Sequence, residues 1–67
     1  MSDVARIIEI AAQSTKSFDD AVRAGVERAC QTLRGVTSAW VKEQQVKVED
    51  NRIVEYRVNL LVTFILD

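Results

Sequence analysis

The hydrophobic positions change period along the chain, and each change predicts an element. From Val4 to Ala12, "VARIIEIAA" is rich in β-branched residues, and Arg6 and Glu9 interrupt it on opposite faces, as in a strand with two unequal sides. The polar cluster "QSTKS" follows as a loop. Ser17 with Asp20 three residues later resembles a capping box with Asp in place of Glu, so a helix should start at Phe18. Phe18, Ala21, Val22, Gly25, Val26, Ala29 and Leu33 then recur at spacings of three and four, while Asp19, Arg23, Glu27, Gln31 and Arg34 lie off that stripe. Acidic Asp19 and Asp20 in the first turn, Arg34 in the last and Gly35 beyond it predict a helix ending near residue 34.

Val36 to Val48 and Ile53 to Leu66 read as two strands of a hairpin, joined at "EDNR", where Asp50 and Asn51 tolerate positive φ. Period two puts Val54, Tyr56, Val58, Leu60, Val62, Phe64 and Leu66 on one face, which must meet the helix. A helix of about 17 residues spans only about 26 Å, and the second hairpin strand exceeds the usual five or six residues. A second chain is therefore expected to cover part of the sheet.

The register of this hairpin decides where Trp40 points. If Asp50 and Asn51 form a two-residue turn, Val41 opposes Leu60, Ala39 opposes Val62, Thr37 opposes Phe64, and Trp40 opposes Leu61 on the face away from the helix. That register lets Gln44 sit beside Arg57. If Asn51 forms a bulge after a three-residue turn, Trp40 opposes Leu60 in the core and Glu43 pairs with Arg57, because a one-residue slip exchanges the faces. Both turns are chemically reasonable, and a large aromatic residue serves packing more often than ligand binding.

Composition narrows what such a domain does. Its 67 residues make one domain, 1–67, and a chain of this size buries only about 60% of the surface its unfolded form exposes. One cysteine and no histidine provide neither an internal disulfide nor a His or multi-Cys metal site, which leaves oligomerisation as the stabilising device. Nine basic and ten acidic residues give a net charge of −1, with no field favouring nucleic acid or an anionic membrane. The charged start "MSDVARIIEI" fits neither a signal peptide nor a membrane span, so the expectation is a soluble, cytoplasmic chain with a reduced thiol. Without histidine, a glycine-rich phosphate loop or a recognisable acid/base motif, no enzyme activity is expected. Cys30 reads as a small residue at the edge of the helix stripe. Glu27, Glu43, Glu49, Asp50 and Glu55 have no metal-ligand spacing, and no metal site is assigned.

The order strand, helix, strand, strand, with "SFDDAV", "TLRGV", "VKEQ" and "EYRV....VTFIL", resembles the dodecins over essentially the whole chain. The resemblance implies an α+β fold, a β-α-β-β arrangement in which a three-stranded antiparallel sheet wraps around one amphipathic helix. It also implies a homododecamer in the form of a hollow shell, which binds riboflavin or FMN at chain interfaces and stores or sequesters it without turnover. Dodecins stack the flavin on a tryptophan at position 38 on the non-core face of the second strand. This chain has Ser38 there and its tryptophan at Trp40, one side-chain repeat of about 6 to 7 Å further on. The residues that touch the flavin edge in the family are a glutamine at position 57 and, in some bacterial members, an arginine at position 45. Here the two types are exchanged as Gln45 and Arg57. The resemblance thus makes Trp40, Ser38, Gln45 and Arg57 the flavin candidates. Equally open is a bland reading of Gln45 and Arg57 as a solvated cross-strand pair.

Some bacterial dodecins also bind coenzyme A through basic residues near the helix end and the sheet. Arg28, Thr32, Arg34 and Arg6 match that pattern, whereas the arginine expected near the end of the last strand is Ile65. The alternative function is a dodecin-fold structural shell, or a store for another small ligand or ion, that has lost flavin stacking because Ser38 replaces the tryptophan.

Overall fold

The computed structural model describes residues 3–66. Strand β1 (Ala5–Ser14) leads into helix α1 (Phe18–Thr32), followed by the hairpin strands β2 (Val36–Glu49) and β3 (Arg52–Ile65). The expected α+β topology is present. All pairings are antiparallel, and the strand order β1-β3-β2 puts β3 in the centre with both neighbours at edges.

The helix forms where its stripe and its cap demand it. Ser17 is extended, and its Oγ accepts a hydrogen bond from the Asp20 backbone N–H at 3.0 Å. The Asp20 carboxylate turns to the end of β1 and accepts from Ser14 Oγ at 2.7 Å, while Ser14 Oγ accepts from the Lys16 backbone N–H. Phe18 packs edge-to-face on Tyr56 with ring centroids 5.1 Å apart, fixing the first turn against β3.

At the other end the expectation of a helix reaching residue 34 is corrected. Leu33 is already extended and packs against the core, so the helix stops at Thr32 and Arg34 lies outside its last turn. Gly35 is left-handed, with φ +71°, but it turns the chain into β2 instead of capping the helix, and its carbonyl accepts from the Ile65 backbone N–H.

The core is one layer between helix and sheet. Ala21, Gly25 and Ala29 lie buried at one-turn spacing against Val58, Leu60 and Val62 of β3, flanked by Ile8, Ile10 and Ala12 of β1. Small residues on this stripe let the helix approach the sheet closely. A β-carbon at Gly25 would lie 2.8 Å from Leu60 Cδ1 and 3.0 Å from Ala12 Cβ.

The hairpin turn settles the two registers. Asp50 and Asn51 have φ of 51° and 61°, the positive pair of a type I′ turn, and Glu49 opposes Arg52. Trp40 opposes Leu61, Val41 opposes Leu60 and Ala39 opposes Val62, as the two-residue turn requires. Irregularities modify that register elsewhere. One skips Thr37, so Val36 opposes Phe64. Next to the turn Val54 is skipped, which sets Gln45, not Gln44, opposite Arg57 and Glu43 opposite Asn59. A bulge at Lys42 then restores the register of the turn at Val41 and Trp40.

Strands of 14 residues reach about 48 Å, whereas a 15-residue helix covers only about 22 Å. The molecule measures 53 × 19 × 13 Å, and the hairpin end projects past the helix with Val48 and Ile53 more than half exposed. Gly25→Ala should lower stability by about 1 to 2 kcal/mol, because the clash with Ala12 and Leu60 outweighs the better helix propensity of alanine. A urea midpoint unchanged or raised in the variant would show that the helix has room to retreat.

Candidate functional site

Period two along β3 gives the sheet a second face. Val58, Leu60 and Val62 are consumed by the helix, so Arg57, Asn59, Leu61 and Thr63 are turned outward, together with the residues that oppose them. Directly opposed residues share a face, and three strands therefore build rungs across it. Ser38, Thr63 and Ile7 form one rung, Trp40, Leu61 and Glu9 the next, then Glu43, Asn59 and Ala11, then Gln45, Arg57 and Gln13.

All four flavin candidates, Trp40, Ser38, Gln45 and Arg57, fall on this open face. Trp40 is 70% exposed, so its indole stands on the open face and is not part of the core. Ser38 beside it is exposed and small, and half-buried Leu61 continues the apolar surface inward. Ile7, also largely exposed, stands in the neighbouring rung. A flat aromatic molecule with one apolar side fits these residues.

The other two candidates stand further off. Arg57 is four residues from Leu61 along β3, about 14 Å. Its Nε donates to Gln13 Oε1 at 3.1 Å and to Glu55 Oε1 at 2.9 Å, the cross-strand polar role weighed for it, although with partners other than Gln45.

Beside this rung lies a polar group of three residues that sequence reasoning missed. Glu9 shares its rung, and Lys42 and Asn59 lie two residues from Trp40 and Leu61 respectively. Lys42 Nζ donates to Glu9 Oε1 at 3.2 Å, and Asn59 Nδ2 donates to Glu9 Oε2 at 3.3 Å. The bulge at Lys42 keeps Trp40, Glu43 and Gln45 opposite open-face residues of β3 while Lys42 itself reaches over the sheet to β1. Hydrogen bonds from Lys42 and Asn59, with the Lys42 charge, hold the Glu9 carboxyl below its ordinary pKa. A signal existed in the polar breaks at Glu9 and Asn59. Their meeting depends on how β1 aligns with β3, which the chain order leaves open.

Of the coenzyme A candidates, the structure gathers two. Arg28 and Thr32 border an apolar cleft of about 430 Å³ between α1 and β1, floored by Ile8, Ile10, Ala12 and Gly25. Arg28 Nη1 donates to Gln31 Oε1 at 3.4 Å, and the Thr32 hydroxyl donates to the Ala29 carbonyl. Arg34 and Arg6 do not line that cleft. Cys30 is a free, exposed thiol. Among the described residues, no three His, Cys, Asp or Glu side chains cluster as metal ligands, and no helix is long and apolar enough to cross a membrane.

Because the folded pKa of Glu9 is depressed, its ion pair favours the native state above the ordinary glutamate pKa. That contribution is lost as pH falls through the lowered value. Carbon-detected NMR should place the Glu9 midpoint below that of a free glutamate, and Lys42→Met should move it upward. An unshifted midpoint in the native protein would remove the electrostatic role assigned to Lys42.

Comparison with known proteins bears on the fold and the family. The family model described as Dodecin matches residues 4–67. The structure of dodecin from Streptomyces coelicolor superposes with a TM-score of 0.92 at 32% identity, covering 97% of this chain and 93% of that one. Dodecin from Streptomyces davaonensis gives 0.93 at 31% identity, with coverage of 100% and 98%. The Mycobacterium tuberculosis protein described as a calcium-chelating immunodominant antigen, calcium dodecin, with a novel calcium-binding site, gives 0.84 at 30% identity, with coverage of 96% and 91%. A comparison with curated protein sequences returned no match. With its family model spanning nearly the whole chain and its β-α-β-β fold shared with these structures, the chain belongs to the dodecin family.

Proposed function

We propose that this dodecin binds riboflavin or FMN on the open face of its sheet, between subunits of a homododecameric shell, and sequesters it without turnover. One observation carries the proposal: the chain's single tryptophan, 70% exposed, stands on the outward face of an edge strand with apolar Leu61 inboard and small Ser38 alongside. Exposing an indole to water is unfavourable unless something covers it, and a π-stacked ring is a natural cover. The flavin plane then rests one side-chain repeat from the position that the family resemblance implies, with Ser38 leaving the usual tryptophan site clear.

Exposed apolar surface supports the assembled state in this reading. The overhanging hairpin end leaves Val46, Val48 and Ile53 exposed, and exposed apolar surface on a sheet whose two edges are free favours association with further copies.

A second reading has its own support. Ser38 removes the ring from the family's stacking position, and a relative at 30% identity is described as chelating calcium. In this alternative the shell stores an ion or serves as structure, with carboxylates such as Glu43, Glu49 and Glu55 brought together by neighbouring chains.

Titration of purified protein with riboflavin separates the two. Flavin and tryptophan emission should be quenched together with saturable stoichiometry, and Trp40→Ala should weaken binding about tenfold or more, with Trp40→Phe in between. No change at micromolar flavin, together with saturable calcium binding, would select the second reading. Sedimentation should show a species many times the 7.6 kDa chain mass. A stable monomer in dilute buffer would overturn the shell.

A further inference from the structure

The rung that carries Trp40 ends, two strand spacings or about 10 Å away, at Glu9, with Leu61 between them. A flat ring system laid on the indole and Leu61 therefore meets Glu9 before any other ionised group of that rung. Around Glu9 the groups alternate in kind. Lys42 Nζ donates to one carboxylate oxygen at 3.2 Å, and Asn59 Nδ2 donates to the other at 3.3 Å. None of the three is saturated by these contacts. An ammonium has three donors, an amide nitrogen two, and each carboxylate oxygen a spare acceptor site. The Lys42 and Glu9 side chains are 44% and 42% exposed, so the spare valences face outward.

A donor, an anionic acceptor and a donor in sequence complement an edge that reads acceptor, donor, acceptor. Such an edge is the C=O, N–H, C=O of a cyclic imide, found on the pyrimidine ring of isoalloxazines. Resting on the stacking reading above, we infer that Lys42, Glu9 and Asn59 recognise the imide edge of the ring stacked on Trp40, in the place that Gln45 and Arg57 would hold. Glu9 accepts from the imide N–H, while Lys42 and Asn59 donate to the flanking carbonyls. Arg57 is about 14 Å along β3 from Leu61 and is engaged by Gln13 and Glu55. The lowered Glu9 pKa keeps the acceptor ionised, and a charged acceptor makes the stronger hydrogen bond.

The test compares riboflavin with 3-methylriboflavin, in which a methyl group replaces the imide hydrogen, on the wild-type protein by flavin fluorescence. The methylated ligand should bind about tenfold more weakly or worse, and Glu9→Gln should weaken riboflavin by a similar factor. Circular dichroism and sedimentation establish that Glu9→Gln is folded and assembled, and the methylated ligand requires no variant at all. Equal affinity of wild type for the two flavins overturns the imide contact while leaving stacking on Trp40 intact. A loss that follows Arg57→Ala and not Glu9→Gln overturns it as well. Failure of wild type to bind riboflavin at all removes the stacking reading and this inference together.

Discussion

The close approach of α1 to β3 is the constraint on which the remaining geometry depends. Ala21, Gly25 and Ala29 present almost no side chain, so Leu60 can approach the helix until its Cδ1 lies 2.8 Å from where a Gly25 β-carbon would be. That contact commits the even-numbered face of β3 to the core. Because side chains alternate along a strand, it also commits Arg57, Asn59, Leu61 and Thr63 to the opposite side. The outward position of Trp40 is then inherited through its pairing with Leu61.

A single helix shorter than the strands cannot cover both the length and the two faces of such a sheet. What it leaves open is ordered, because each rung is held by three backbones and the central strand is fully paired. The open face divides into an apolar end, with Ile7, Leu61 and Trp40, and a polar end beginning at Glu9, Lys42 and Asn59 and continuing to Gln13, Arg57 and Glu55. That polarity suits a planar ligand with one apolar and one hydrogen-bonding end.

The bulge at Lys42 has an effect larger than its size. A regular ladder with the same turn would set Gln44 beside Arg57. Skipping Val54 next to the turn sets Gln45 there instead, and the bulge at Lys42 returns Val41 and Trp40 to the register of the turn, which keeps Trp40 on the open face. Glu9, Lys42 and Asn59 come from three strands and share one carboxylate as their centre, so the group is as ordered as the sheet that carries it.

Period, capping residues and turn residues were enough to predict the four elements, their order and the helix face, because each depends on neighbours within a few positions. The helix end was misplaced by two residues since Leu33 is drawn out of the helix by core packing, a tertiary demand that overrides the local signals of Arg34 and Gly35. Trp40 stood at a real ambiguity: composition permits either turn, and its face is decided by the two-residue turn at Asp50 and Asn51 together with two skipped residues, Val54 and Lys42, whose shifts cancel. Gln45 and Arg57 were visible as types but not as neighbours, because a bulge leaves no mark in residue identity. The Glu9, Lys42 and Asn59 group was the least legible, with sequence separations of 33 and 50 residues across its two contacts. Local chemistry in the chain determined what elements form, whereas the faces and partners of the exposed residues were decided by packing and register, which act between positions that are distant in sequence.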